Sequence, residues 1–206
     1  MLYYLGLLGI IAFSVTGVIA AGKKDMDLFS IVLLGVVTAL GGGTLRDIIL
    51  DIHPIFWVAD LTYIWVPVIA AIATFFCVRL VARLLNLFIY LDAFGLALFT
   101  ILSMEKILDL GYGNTIALLM GLITGITGGM LRDILTGRMP LVLGREFYAT
   151  PALVGASVFG VLNNYLPNHS YNGLYGVSAI FILRIFAIHW ELYYPSWLTY
   201  EGKDTK

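Results

Sequence analysis

The sequence predicts an all-α integral membrane protein whose seven transmembrane helices form two inverted three-helix repeats plus a seventh helix. Three observations predict it. Of 206 residues, 60% are hydrophobic and only 12% charged, where soluble domains carry about 25% charged residues. The apolar residues gather in runs long enough to cross ~30 Å of hydrocarbon. One of those runs recurs later in the chain with its charged residues in the same places. A net charge of −1 on so apolar a chain excludes disorder, which needs low hydrophobicity and high charge. It also leaves no basic surface, so no nucleic-acid partner is expected.

The runs cover residues 2–22, 28–45, 61–78, 84–104, 110–131, 147–168 and 171–190, the fourth containing Asp92 and the seventh Arg184. Each reaches the ~18–20 residues that a spanning helix requires. Helix is the only secondary structure they suit, because an open strand leaves backbone amides unpaired in lipid and barrel alternation is missing. Tyr3, Tyr4, Phe56, Trp57, Trp190 and Trp197 stand near run ends, as interfacial aromatic residues do. Ala20, Ala21 and Gly22 close the first run, but no basic segment precedes it, so it is read as a span and not as a cleaved leader. The single cysteine, Cys77, forms no internal disulfide. His53, His169 and His189 share no ligand spacing, so no structural metal and no cofactor is expected. The only metal foreseen is a monovalent cation in passage.

Loop charge sets an orientation. With the amino terminus outside, Lys23, Lys24, Arg79, Arg83, Arg138, Arg145, Lys203 and Lys206 all face the cytoplasm, against Lys106 on the other side. The positive-inside rule then gives N-out, C-in.

Residues 35–50 (GVVTALGGGTLRDIIL) and 121–136 (GLITGITGGMLRDILT) align at a constant offset of 86 with eight identities, including the G-G-x-L-R-D core. The register continues to Pro54/Pro140 and Asp60/Glu146, and a weaker match pairs Gly17 with Gly95 and Ser14 with Asp92. Residues 1–85 are therefore read as the first three-helix repeat, 86–168 as the second, 169–192 as the seventh helix and 193–206 as a short cytoplasmic tail. A unit with three spans enters the membrane from the opposite side on its second occurrence, so the halves are inverted. Glycine-interrupted helices at matching places in inverted halves point to a transport pathway.

The candidate site lies in the repeated helix. Gly41, Gly42 and Gly43 stand roughly 20 Å from Leu28 at ~1.5 Å per residue, and Thr127, Gly128 and Gly129 match them in the second repeat. Such clusters weaken the helix and permit a kink. Gly35, Ala39, Gly43 and Gly121, Gly125, Gly129 also form small-residue ladders for helix packing; the additional Gly42 and Gly128 favour a kink and a pathway. Arg46, Asp47, Arg132 and Asp133 follow directly. Adjacent side chains point about 100° apart on a helix, so each Arg-Asp pair is expected to find partners on other helices or in water. The alternative is an arginine at the helix carboxyl end that snorkels to the headgroups. Asp92 is either a charge favoured by the start of its helix or part of a cation site. Arg184, deep in the seventh run, is expected to pair with Asp92 or Asp133.

The paired GGGTLRD and TGGMLRD motifs, the three-plus-three-plus-one layout and the size resemble the prokaryotic homologues of trimeric intracellular cation (TRIC) channels, a bacterial family also labelled as a glycine-transporter domain. The resemblance covers residues 2 to about 190. It implies a homotrimer in the lipid membrane, each protomer with an hourglass pore lined by the kinked second and fifth helices and conducting monovalent cations, mainly potassium. Gly41, Gly42, Gly43, Gly128 and Gly129 would be the kink residues, with Thr127 where the first repeat has a third glycine, and the four Arg-Asp charges would flank the path.

Three function classes compete on the residues alone. An enzyme is weakest, for no nucleophile and base converge. A secondary transporter of a small zwitterion such as glycine uses the same broken, inverted helices as a channel. The orientation is open to direct test: a reporter fused after Lys206 should be cytoplasmic, and a single cysteine near Met1, in a chain without Cys77, should react with an impermeant reagent from outside. The opposite pattern would reverse every loop.

Overall fold

The computed structural model describes residues 2–22, 24, 26–81, 85–167, 169–195 and 197, and the side chains of all of these save 2, 78–81, 85 and 86. Lys23, Arg83, Lys203 and Lys206, four of the charges behind the predicted orientation, lie outside the described residues, as does most of the 193–206 tail. The described chain is helical: α1 (Leu2–Ala21), α2 (Leu28–Ile49), α3 (Phe56–Ala59), α4 (Thr62–Val81), α5 (Leu85–Asp109), α6 (Asn114–Leu135), α7 (Ala149–Tyr165) and α8 (Asn172–His189), with a 3₁₀ turn at Leu141–Leu143. Five helices carry stretches long and apolar enough to cross a membrane, namely α1, α2, α5, α6 and α8, while α4 offers the shorter apolar stretch Thr62–Cys77. α7 has 17 residues, the lower bound for spanning.

A helix lies within each of the seven apolar runs, but several ends move. α2 and α6 continue to Ile49 and Leu135, so both Arg-Asp pairs fall inside them. α5 continues through Glu105 and Lys106 to Asp109, since a polar last turn costs a helix nothing once it leaves the hydrocarbon. Neither α3 nor the 3₁₀ turn was expected.

Local chemistry explains the main boundaries. Asp27 caps α2 by accepting the Ser30 amide at 2.7 Å, and that backbone hydrogen bond holds its carboxyl below the ordinary range. The ends of α2 and α6 are the same structure twice. Ile52 N–H donates to Asp47 O and Arg138 N–H to Asp133 O, each at 2.8 Å. Asp51 N–H donates to Ile48 O and Gly137 N–H to Ile134 O. Asp51 (φ 53°) and Gly137 (φ 65°) take the left-handed conformation between them. This is a Schellman motif repeated at the sequence offset of 86; glycine is strain-free there and Asp51 is tolerated.

α2 and α6 cross antiparallel at the middle of the bundle, and matched residues meet reciprocally. A methyl at Gly42 would collide with the carbonyl oxygen of Thr124, and one at Gly128 with the carbonyl oxygen of Thr38. Gly42 and Gly128 are therefore close-packing residues at this crossing. Both helices are hydrogen-bonded without interruption through their glycines, so the expected breaks do not unwind the backbone. Thr38 and Thr124 turn their hydroxyls back to Leu34 O and Met120 O at 2.7 Å each, hiding polar groups at the crossing. α1 and α5 flank the crossing, α4 packs on α1 and α2, and α7 and α8 pack on each other and on α5. Ser14 on α1 donates to Pro67 O on α4 at 2.8 Å.

Outward faces carry Phe29, Trp65, Ile69 and Phe76 exposed, the arrangement a lipid solvent permits. After α8 the chain turns back on the connection between α6 and α7: Tyr194 N–H donates to Arg145 O at 2.9 Å, and its ring stacks on Phe147 at 4.4 Å.

Gly42→Ala or Gly128→Ala should lower stability by about 1–3 kcal/mol, as overpacking does. Gly160→Ala, where a methyl meets nothing within 4 Å, should leave the melting temperature unchanged or slightly raised. Thermal unfolding of detergent-purified protein checks this, and equal melting temperatures for all three would remove the close crossing.

Candidate functional site

Both arginines of the doubled motif are inside the protein, Arg46 7% and Arg132 0% exposed. Snorkelling is thus overturned. Each pairs with the aspartate beside it, Arg46 Nε to Asp47 Oδ1 at 2.8 Å and Arg132 Nε to Asp133 Oδ1 at 2.9 Å. The expectation that neighbours do not pair fails because arginine is long enough to curl round the helix to the short aspartate. The second carboxylate oxygen reaches forward: Asp47 Oδ2 accepts Phe56 N–H at 3.0 Å and Asp133 Oδ2 accepts Leu141 N–H at 3.2 Å. The aspartates thereby tie each helix end to the short helical piece that follows.

The two ends differ in what else they recruit. Lys106 on α5 donates to Asp47 at 3.0 Å, so two cations share one carboxylate. At the other end Arg132 Nη1 donates to Asp92 Oδ1 at 2.6 Å and to Thr16 Oγ1 at 3.1 Å, and two carboxylates share one guanidinium. The Arg132 guanidinium also lies over the Phe88 ring at 4.5 Å. Asp92 is fully buried about two turns inside α5. It is a counter-ion there, not a charge at the start of a helix. Arg184 does not reach Asp92 or Asp133. It donates to Phe147 O at 2.7 Å, lies over the Tyr148 ring at 4.7 Å and faces Glu146 at 3.9 Å, because the connection between α6 and α7 folds in beside it.

The glycine clusters scatter over several surroundings. A methyl at Gly41 would strike the Leu131 side chain, one at Gly43 the Phe56 ring, and one at Gly129 would crowd Asp92 and Tyr148 at 3.1 and 3.2 Å. Gly41 and Thr127 border an almost wholly apolar recess of about 480 Å³ with Leu40, Leu131 and Trp57. Gly43 and Arg46 instead border a cavity of about 490 Å³ that also takes in Tyr3, Ile10, Phe99 and Lys106. Of the predicted site residues only these two line it. Glu105, Lys106 and Ser103 are cavity residues that sequence reasoning passed over. Their signal was the Glu-Lys pair following the fourth run, which a purely apolar run ends before. Among the described residues, no group of three or more His, Cys, Asp or Glu side chains gathers to hold a metal.

The chain matches the family model described as Glycine transporter over residues 3–79 and 89–164. It is 38% identical over 201 residues to the UPF0126 inner membrane protein YadS of Escherichia coli K12, across 95% of this chain and 96% of that one. Its fold is similar to the TRIC trimeric intracellular cation channel orthologue from Rhodobacter sphaeroides, with TM-score 0.86 and 38% identity over 93% of this chain and 98% of that one. A prokaryotic TRIC channel crystallised in 0.5 M KCl is similar too, with TM-score 0.85 and 31% identity over 92% and 96% of the two chains.

The burial of the two networks predicts unequal costs. Asp92→Asn removes a buried counter-charge from Arg132 and should destabilise by about 3 kcal/mol or more. Lys106→Gln, at a lysine one-third exposed, should cost under about 1 kcal/mol. Chemical denaturation in detergent checks the order, and equal losses would contradict it.

Proposed function

For this chain, which belongs to the glycine-transporter-domain family of prokaryotic TRIC-channel homologues, we propose a channel for monovalent cations, potassium favoured, with one pathway in each protomer of a homotrimer. The chain is a multi-pass helical membrane protein of the TRIC-like fold. The observation that carries the proposal is the likeness along nearly the whole chain to solved cation channels. The charge arrangement supports it. A cation path beside two arginines is unfavourable unless they are neutralised, and Arg46 and Arg132 are each bonded to carboxylates.

In this reading α1, α2, α4, α5, α6, α7 and α8 are the seven spans, with N-out, C-in topology. Residues 1–85 and 86–168 are inverted repeats. The antiparallel crossing of α2 and α6, where Gly42 meets Thr124 and Gly128 meets Thr38, supports that relation. The cavity beside Arg46 is then one vestibule of an hourglass path. The clusters Gly41, Gly42, Gly43 and Thr127, Gly128, Gly129 are the points at which α2 and α6 bend when the path opens, and Arg46, Asp47, Asp92, Arg132 and Asp133 are the charges along it.

The family model's description favours a second reading, uptake of glycine. The two readings separate physically, because a channel passes ions along a continuous wet path and a transporter alternates access round a closed site. Purified protein should give discrete unitary potassium currents in a planar bilayer and no saturable glycine uptake in matched vesicles. Electrically silent bilayers with saturable, counterflow-positive uptake would replace the channel by the transporter.

A further inference from the structure

We propose that Phe13 is the permeation barrier of the protomer, an aromatic plug that separates the open cavity from the Arg132–Asp92 pair. The inference rests on the channel reading. α1 supplies the line of evidence, because one of its faces passes along the whole candidate path. Tyr3, Gly6 and Ile10 line the cavity, and no cavity residue on α1 lies deeper than Ile10. Thr16 lies ~9 Å further along the helix axis and is bonded to Arg132. Phe13 stands between them.

Its surroundings fit it as a stopper. The side chain is 1% exposed and stacks on Phe99, a lining residue of the cavity, at 5.2 Å. A methyl at Gly95 on α5 would collide with the Phe13 ring, and a methyl at Gly128 on α6 would approach it to 2.9 Å. Bare backbone on two facing helices therefore accommodates the ring in the core. Gly95 and Gly128 answer to Gly17 and Gly42 in the sequence repeat, so glycines of the duplication serve the plug.

The chemistry of the two sides is opposite. On the cavity side stand Arg46, Glu105, Lys106 and Asp109, groups that hold water. Beyond the plug, Arg132 donates to Thr16, Asp92 and Asp133. A narrow apolar layer between two polar zones stops ions by dewetting, without any charge. Phe13 thus sets whether the path is wet, and the carboxylates beyond it set which ions enter the far half.

The test is thiol accessibility together with current, in a chain carrying Cys77→Ser. An impermeant thiosulfonate is added on the side of the cavity mouth. Gly6→Cys, at a partly exposed lining residue of the cavity with room for a side chain, should be modified and Thr16→Cys protected. Adding Phe13→Ala should raise modification at Thr16→Cys by about tenfold or more and increase the potassium leak, since removing the apolar layer wets the path. Phe13→Leu, which keeps an apolar side chain should the alanine variant fail to assemble, should raise both by a smaller amount, with the elution volume of the oligomer unchanged. Equal modification at Thr16→Cys with Phe13 present, or unchanged protection and leak in both variants, would overturn the plug. Protection relieved at Thr16→Cys without any potassium current would keep Phe13 as the barrier and remove the channel reading instead.

Discussion

A guanidinium with no access to water is the constraint round which this bundle is arranged. An ionised side chain at membrane depth is costly by several kcal/mol unless it is paired, and Arg132 is fully buried. Asp133 on its own helix, Asp92 on α5 and Thr16 on α1 therefore converge on it. Three helices are fixed in rotation and height by one cation. The far end repeats the device with the signs exchanged. Asp47 is the buried ion there, and Arg46 and Lys106 are its partners. The Asp47 cluster sums to +1 and the Arg132 cluster to −1, so the two ends balance and each arginine has a carboxylate partner.

Between the two ends the helices have no hydrophobic drive to associate, because lipid tails are as apolar as their own side chains. Close backbone contact replaces it. Gly42 against Thr124 and Gly128 against Thr38 form that contact twice. The threonines satisfy their hydroxyls on their own helices, so the crossing buries no orphan polar group. Glycine is needed at these positions for space, whereas its conformational freedom is used at Gly111 and Gly137, where left-handed turns close α5 and α6.

Much of this was legible in the amino-acid order. Run length and composition locate the long helices because lipid forces every backbone group into an internal hydrogen bond, and the offset of 86 exposes the duplication. Pairing was not legible. Arg46 bonds Asp47 although their directions diverge, because an arginine's reach exceeds what the position of its Cβ implies. Asp92 and Arg132 are 40 residues apart, and Arg184 takes the Phe147 carbonyl because of how a connecting loop folds. Phe13, one apolar residue inside an apolar helix, carries no sequence signal of its own. Glu105 and Lys106 stood just beyond the apolar run and were passed over for that reason.

The claim at the centre is that the arginines of the doubled motif are held by internal carboxylates and leave the path open to cations. The reversal potential of the purified protein across a potassium chloride gradient tests it most directly. Neutralised arginines place that potential near the potassium equilibrium potential. A value at the chloride equilibrium potential would mean that the guanidinium groups face the permeating ion, and would contradict the account.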